Sequence, residues 1–161
     1  MKNLLLASLL VLTLIQPSFS AGSSGDSSAT KTDYEKAVKY VKQAKKYEEK
    51  GKTDKAQKRY QKAQKLLIAS NAEIPNKADT LNYLGFTTRK LGDFETGEKY
   101  YLEGLAIEPG HIGINEYLGE LYVATGRIDL AKERLNILKN CNCVEFEELK
   151  EIIEGKKKSK Y

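Results

Sequence analysis

The chain has 161 residues, of which 40% are hydrophobic and 30% are charged, and its formal net charge is +5. This length supplies one modest hydrophobic core and leaves no room for a second full domain. Lysine and glutamate are mixed along most of the sequence, which is typical of a solvated helical surface. The basic cluster at residues 156–160 has no interleaved aromatic residues that could stack on bases, so nucleic acid is not expected as a partner.

Residues 1–20 have the features of a cleaved signal peptide. Lys2 precedes an apolar run from Leu4 to Ile15, and Ser18-Phe19-Ser20 fits the small-x-small pattern before a cut after Ser20. The apolar run is shorter than the roughly 20 residues that span a bilayer. We therefore expect an exported protein without stable membrane insertion after cleavage, beginning with a flexible Ser- and Gly-rich leader over residues 21–32.

Helical periodicity begins after a capping box, Thr32-x-x-Glu35, and continues to about Lys150. Apolar and aromatic residues recur every three or four positions, and no convincing strand alternation is present. Three glycines stand where one helix is expected to turn into the next, at spacings of 41 and 34 residues: Gly51, Gly92 and Gly126. The pattern predicts an all-α protein with seven helices, the last at residues 144–155.

The unit at residues 77–110 resembles a tetratricopeptide (TPR) repeat almost end to end. The resemblance is carried by a bulky residue, a Leu-Gly pair, a small residue, an aromatic residue and a closing proline, which are Leu81, Leu84-Gly85, Gly97, Tyr101 and Pro109. The unit at 111–143 repeats the pattern with Leu118-Gly119 and Tyr122. The unit at 33–76 is the most divergent, and its seven extra residues fall where the second helix can be longer.

This resemblance implies a right-handed α-solenoid of about three TPR helix-turn-helix repeats. A capping helix at residues 144–155 would close the stack, and a basic tail at 156–161 would follow it. The segment from Cys143 to Ile153 is also similar to the ending of small periplasmic TPR proteins of Gram-negative bacteria, which carry a cysteine pair before an acidic-aromatic helix. The resemblance therefore favours the periplasm, with secretion as the alternative.

Cys141 and Cys143 are the chemically reactive feature of the sequence. In an exported chain these two thiols are expected to form a disulfide, and a staple before the capping helix is the favoured role. Thiol-disulfide exchange or metal handling is the alternative, although a zinc site would need about four ligands. With His111 as the only histidine, and with no phosphate loop or nucleophile motif, we expect neither an enzyme nor a cofactor or metal.

The TPR resemblance implies a scaffold or adaptor that binds a protein or peptide of unknown identity. First helices of TPR repeats line an inner groove in which partners lie, and tyrosine and arginine are enriched at binding hot spots. Tyr83 and Tyr117 stand where a clamp for a terminal carboxylate needs polar or basic groups, so binding of chaperone tails is not expected. A self-associating homo-oligomer is the further alternative. The predicted groove residues are Asn82, Tyr83, Phe86, Arg89, Lys90, Glu116, Tyr117 and Glu120.

Overall fold

A computed structural model describes residues 31–159. The predicted signal peptide, most of the leader and the last two residues of the basic tail lie outside this range. Residues 31–159 form helices and connecting turns without any strand, which confirms the predicted all-α fold. The seven helices are α1 (Asp33–Glu48), α2 (Thr53–Glu73), α3 (Ala78–Lys90), α4 (Phe94–Ile107), α5 (Ile112–Ala124), α6 (Ile128–Leu138) and α7 (Val144–Ile153).

The helix boundaries follow the predicted signals. At the start of α1, the backbone N–H of Glu35 donates to the Thr32 hydroxyl over 3.2 Å, and the Thr32 N–H donates to the Glu35 carboxylate over 2.8 Å. This is the predicted capping box. The three turn glycines have φ values between +65° and +99°. Glycine adopts this left-handed region without the steric cost that other residues bear.

Successive helices pack as antiparallel hairpins that stack on one another. The hairpins are α1 with α2, α3 with α4, and α5 with α6; α2 also packs on α3, α4 packs on α5, and α7 packs on α5 and α6. Helix α2 has 21 residues, whereas α4 has 14 and α6 has 11. The predicted longer second helix of the first repeat is therefore confirmed. Together the elements form an α-solenoid of three helical hairpins with α7 at its end.

The Leu-Gly pairs allow helices to approach closely. A Cβ atom on Gly119 would lie 2.6 Å from Cδ2 of Leu149, the buried leucine of α7. A Cβ atom on Gly85 would lie 2.5 Å from the ring of Tyr101, which has no exposed area. Only glycine therefore fits these two positions without movement of a packed side chain.

The cysteine pair lies at the junction between α6 and α7. The structure joins Cys141 and Cys143 in a disulfide, with Cα atoms 5.2 Å apart. Cys143 is the N-cap residue of α7, and Asn142 between the two cysteines has a φ of +49°. The bridge thus holds the turn from which α7 begins.

Candidate binding face

The first helices of the three hairpins, α1, α3 and α5, are joined by contacts between aromatic rings. Tyr34 on α1 meets Tyr83 on α3 edge to face, with ring centroids 6.0 Å apart. Phe86 on α3 and Tyr117 on α5 have centroids 4.9 Å apart. These distances are typical of favourable aromatic pairs. We call the side of the stack that carries Tyr34, Lys45, Tyr83, Lys90 and Tyr117 the inner face.

Lys45 links the first hairpin to the third across the inner face. Its ammonium group donates a hydrogen bond of 2.9 Å to the hydroxyl of Tyr117, which is 72 residues away in the sequence. The same nitrogen lies 4.6 Å from the ring centroid of Phe86 and 5.2 Å from that of Tyr117. A cation at this range is attracted to an aromatic ring. The contact therefore links α1 to α5 directly.

Below the inner face, Arg89 and Glu120 form a buried ion pair. Nη2 of Arg89 lies 3.6 Å from Oε2 of Glu120, and neither side chain has exposed area. Nη1 of Arg89 donates a hydrogen bond of 2.6 Å to the backbone carbonyl of Tyr117. The guanidinium also lies 5.8 to 6.0 Å from the ring centroids of Phe86, Tyr101 and Tyr117. Burial lowers the pKa of Arg89, while Tyr101 and Glu120 oppose that shift.

A second ion pair joins the ends of α1 and α3. Nζ of Lys90 lies 2.6 Å from Oε1 of Glu48, and the hydroxyl of Tyr60 on α2 donates a hydrogen bond of 2.8 Å to the other oxygen of that carboxylate. Tyr60 in turn packs edge to face on Phe86, with centroids 5.8 Å apart. This arrangement connects the inner face to the core between the first two hairpins.

The tyrosines of the inner face stay neutral well above physiological pH. Burial, with a smaller effect of the Asp79 charge, raises the pKa of Tyr34 to about 12. The same two causes raise the pKa of Tyr83. Burial raises the pKa of Tyr117, and the Glu116 charge adds to the shift. Each hydroxyl is therefore a neutral group that can donate or accept a hydrogen bond.

The structure divides the eight predicted groove residues into two sets. Tyr83 and Tyr117 are half-buried on the inner face, and Lys90 lies beside them with a side chain that is only 7% exposed. The other five are buried beneath it, because α3 and α5 pack against their neighbours more tightly than the repeat pattern alone indicates: Asn82, Phe86, Arg89, Glu116 and Glu120. The buried set supports the half-exposed set, and the partner-binding role of all eight stays a prediction.

The sequence analysis missed two residues of this region. Tyr34 lies eight residues, about two helical turns, before Lys42, the residue of α1 that matches Tyr83, so the repeat register did not point to it. Tyr60 matched a core position, and its bond to Glu48 depends on the tertiary fold.

His111 is the N-cap residue of α5: its Nδ1 accepts a hydrogen bond of 3.1 Å from the backbone N–H of Ile114, and its Nε2 lies 3.2 Å from Asp79.

Residues 31–159 contain no group of three or more His, Cys, Asp or Glu side chains that could hold a metal ion. Within the same range no helix is both long enough and apolar enough to cross a membrane. The inner face and the two ion pairs beneath it bring polar groups of all three hairpins together. This arrangement can present aromatic edges, hydroxyl groups and the ammonium group of Lys45 to a partner.

Comparison of the chain with protein-family models gives no match, and no curated protein matches its sequence. Solved structures do resemble it. The type III secretion translocator chaperone SycD of Yersinia enterocolitica has a TM-score of 0.51 and 17% identity, over 74% of this chain and 79% of that one. The first TPR of Spaghetti (RPAP3), bound to the HSP90 peptide SRMEEVD, has a TM-score of 0.48 and 20% identity, over 77% and 95% of the two chains.

The first TPR domain of human RPAP3 has the same TM-score, 0.48, and 20% identity, over 78% of this chain and 98% of that one. At these identities the likeness concerns the fold. The likeness to SycD agrees with the stacked helical hairpins described above. The chain therefore has a TPR-like fold, an α-solenoid of three helical hairpins with a final helix packed on the third.

Proposed function

We propose that this chain is an exported TPR scaffold, without catalytic activity of its own, that binds a protein or peptide partner along the inner face. The observation that carries the proposal is the series of aromatic contacts across α1, α3 and α5, from Tyr34 through Tyr83 and Phe86 to Tyr117. Tyr34, Tyr83 and Tyr117 are half-buried, so their rings are held by packing while part of each remains open to a partner.

The physical argument is one of preorganisation. An interface gains affinity when its aromatic anchors are already fixed, because less side-chain entropy is lost on binding. Here Tyr117 is held by Lys45 and Phe86, and Tyr83 is held by Tyr34. Tyr83 and Tyr117 are 34 residues apart and occupy the same position in successive repeats. A regular series of this kind suits an extended peptide or a helix that crosses the first helices in turn.

The binding proposal is tested by selecting peptides from a displayed random library with the full chain, and then measuring the affinity of the selected peptides. We expect Tyr83→Ala to weaken binding about tenfold or more, as for a hot-spot residue. Tyr100→Ala is the matched control, because Tyr100 is also a half-buried tyrosine but lies on α4. Equal losses in the two variants, both shown to keep their helical content, would contradict binding at the inner face.

Export is tested separately. The chain is expressed in a Gram-negative host, the periplasmic fraction is isolated, and the intact mass of the protein is measured. We expect the mass of a chain that begins at Ala21, since the predicted cut follows Ser20. A full-length mass, or a protein confined to the cytoplasm, would contradict export and would leave the binding proposal standing.

A further inference from the structure

The first hairpin concentrates positive charge on a surface that is separate from the inner face. Residues 33–73 contain 12 lysine and arginine residues against six aspartate and glutamate residues. Their formal charge of +6 exceeds the +5 of the whole chain. The hairpin of α1 and α2 is therefore the basic end of the stack, because residues 74–155, which hold the other five helices, contain nine lysine and arginine residues against 15 aspartate and glutamate residues.

Part of this charge lines two adjoining open clefts between α1 and α2, which share Tyr47 and Arg59. The larger has a volume of about 620 Å³ and the smaller about 290 Å³. All lining residues belong to the first hairpin and its turn, and none belongs to the inner face. We call this surface the basic cleft; its seven cationic residues are Lys46, Lys50, Lys55, Lys58, Arg59, Lys62 and Lys65.

Helical spacing places these cations in a row. Lys55, Lys58, Lys62 and Lys65 follow one another at intervals of three or four residues, so they share one face of α2, and all four are exposed. Ten residues of helix extend about 15 Å, which is the length of roughly five residues of extended peptide. The row therefore matches a short linear segment in length.

The chain does not neutralise the basic cleft itself. In the part of the chain that the structure describes, no carboxylate forms an ion pair with any of its seven cations, whereas lysines elsewhere on the helices do have such partners. Like charges on one helix face repel one another at this spacing. An anionic ligand would relieve that repulsion.

Two tyrosine rings lie within reach of three of the seven cations. Cζ of Arg59 lies 5.4 Å and Nζ of Lys62 lies 5.9 Å from the ring centroid of Tyr40, and Nζ of Lys55 lies 6.0 Å from that of Tyr47. Both rings also pack on the core of the hairpin. Both rings are therefore partly covered, which leaves less ring surface for the stacking of bases and disfavours single-stranded nucleic acid.

The shape of the cleft disfavours a bilayer. Apart from Tyr47, its lining consists of lysine, arginine and glutamine side chains, and it has no large aliphatic side chain to insert between lipids. Its charges lie around a concave surface between two helices, whereas a bilayer presents a flat one.

A short polypeptide segment fits such a cleft. Carboxylates on alternate residues of an extended strand recur every ~6.6 Å, which is close to the ~5.4 Å length of one turn of α2.

From this geometry we infer that the basic cleft is a second interaction surface, which binds an acidic, extended polypeptide segment through its carboxylates. This inference does not depend on the proposed function, because the two surfaces share no residue. A partner that carries an acidic segment could occupy the cleft while the inner face holds another segment.

The test is fluorescence anisotropy with the full chain and a labelled peptide of alternating glutamate and serine. We expect saturable binding that weakens as the salt concentration rises. Lys58→Gln combined with Lys62→Gln should weaken binding about tenfold. Lys139→Gln combined with Lys158→Gln removes the same charge from exposed positions at the other end of the chain, and should change binding less than about twofold.

Several outcomes would overturn the inference. One is equal binding of a peptide in which glutamine replaces glutamate, and another is an equal loss in the two double variants. Tighter binding of an oligothymidine or of vesicles rich in phosphatidylglycerol would assign the cleft to nucleic acid or to membrane. Peptide-free self-association in sedimentation, abolished by Lys58→Gln with Lys62→Gln, would assign it to a second copy of the chain.

Discussion

Arg89 on α3 and Glu120 on α5 form an ion pair, 3.6 Å from Nη2 to Oε2, whose side chains are completely shielded from solvent. The pair joins the second hairpin to the third directly beneath the inner face. Removing one partner from a buried pair leaves an uncompensated charge in the interior. We therefore expect Glu120→Gln to lower the free energy of unfolding by about 3–5 kcal/mol, measured by urea denaturation.

The control for this prediction is Lys99→Ala, which breaks the exposed pair of Lys99 with Glu95 on α4. Its denaturation midpoint should stay at the wild-type value, because exposed pairs contribute little. The double variant Arg89→Met with Glu120→Leu should recover most of the loss, since apolar side chains replace both charges. A Glu120→Gln variant as stable as Lys99→Ala would show that the buried pair does not hold the hairpins together.

Gly119 is the position at which α7 packs most closely on the stack. Alanine there would raise helix propensity by about 1 kcal/mol, but its Cβ would lie 2.6 and 2.8 Å from the two terminal carbons of Leu149. Overpacking of this kind costs about 1–3 kcal/mol, so a net loss of stability is expected in thermal unfolding. Gly110→Ala should be harmless, because a Cβ atom at Gly110 meets nothing within 4 Å.

A double-variant cycle isolates the contact between these two residues. If Gly119 and Leu149 interact as the structure shows, Gly119→Ala combined with Leu149→Ala will lose less stability than the sum of the two single variants. Additive losses would contradict the packing of α7 on α5. Additive losses would also argue against the predicted role of α7 as a cap of the stack.

The raised pKa of the half-buried Tyr34 predicts a loss of stability in alkali. Tyr34 has a pKa of about 12 in the folded chain against an ordinary value of 10.0. As the pH rises above 10, the unfolded state releases this proton first, so the unfolded state binds fewer protons and the free energy of unfolding falls with pH. The contribution of Tyr34 is complete below pH 10 and is lost as the pH passes through about 12.

Tyr34→Phe tests the predicted fall of the free energy of unfolding with rising pH. Its stability should fall less steeply than that of the wild type between pH 10 and 12, because phenylalanine has no proton to release. The ultraviolet titration of the folded variant should also lack one tyrosinate with a pKa near 12. Identical pH profiles for the two proteins would contradict the burial of the Tyr34 hydroxyl beside Asp79.

The disulfide between Cys141 and Cys143 is expected to act as a local staple. It closes a loop with one intervening residue, so the entropy model gives a stabilisation of only about 1–2 kcal/mol. Cys141→Ser combined with Cys143→Ser should therefore keep the fold and increase hydrogen exchange mainly in α7. Disulfide-reductase activity of the wild type that disappears in this variant would instead support the thiol-exchange alternative.

The sequence predicts the helices of this fold better than it predicts the burial of the residues at the inner face, for physical reasons. Helix periodicity, the Thr32 capping box and the turn glycines are local signals, and these three features of the structure were predicted. The burial of Phe86, Arg89 and Glu120 depends on how tightly neighbouring hairpins pack. The repeat register assigns such residues to a first helix without specifying what covers them.

The basic cleft was missed for a different reason. The sequence pattern places the basic cluster in the tail, because lysine and glutamate are mixed along most of the chain. The structure shows a larger cluster on α2, where the spacing of Lys55, Lys58, Lys62 and Lys65 places them on one face. That spacing was visible in the sequence, but the approach of Tyr40 and Tyr47 on α1 required the tertiary fold.

Site-specific photo-cross-linking tests the central claim, partner binding at the inner face, most directly. A benzoylphenylalanine residue is placed at Lys42, which is exposed on α1 one turn before Lys45, or at Tyr83. The comparison positions are Leu102 and Ile137, which are exposed on the second helices α4 and α6. We predict cross-links to a discrete partner from positions 42 and 83, suppressed by a peptide selected on the same chain. Cross-links from positions 102 and 137 alone would contradict the account.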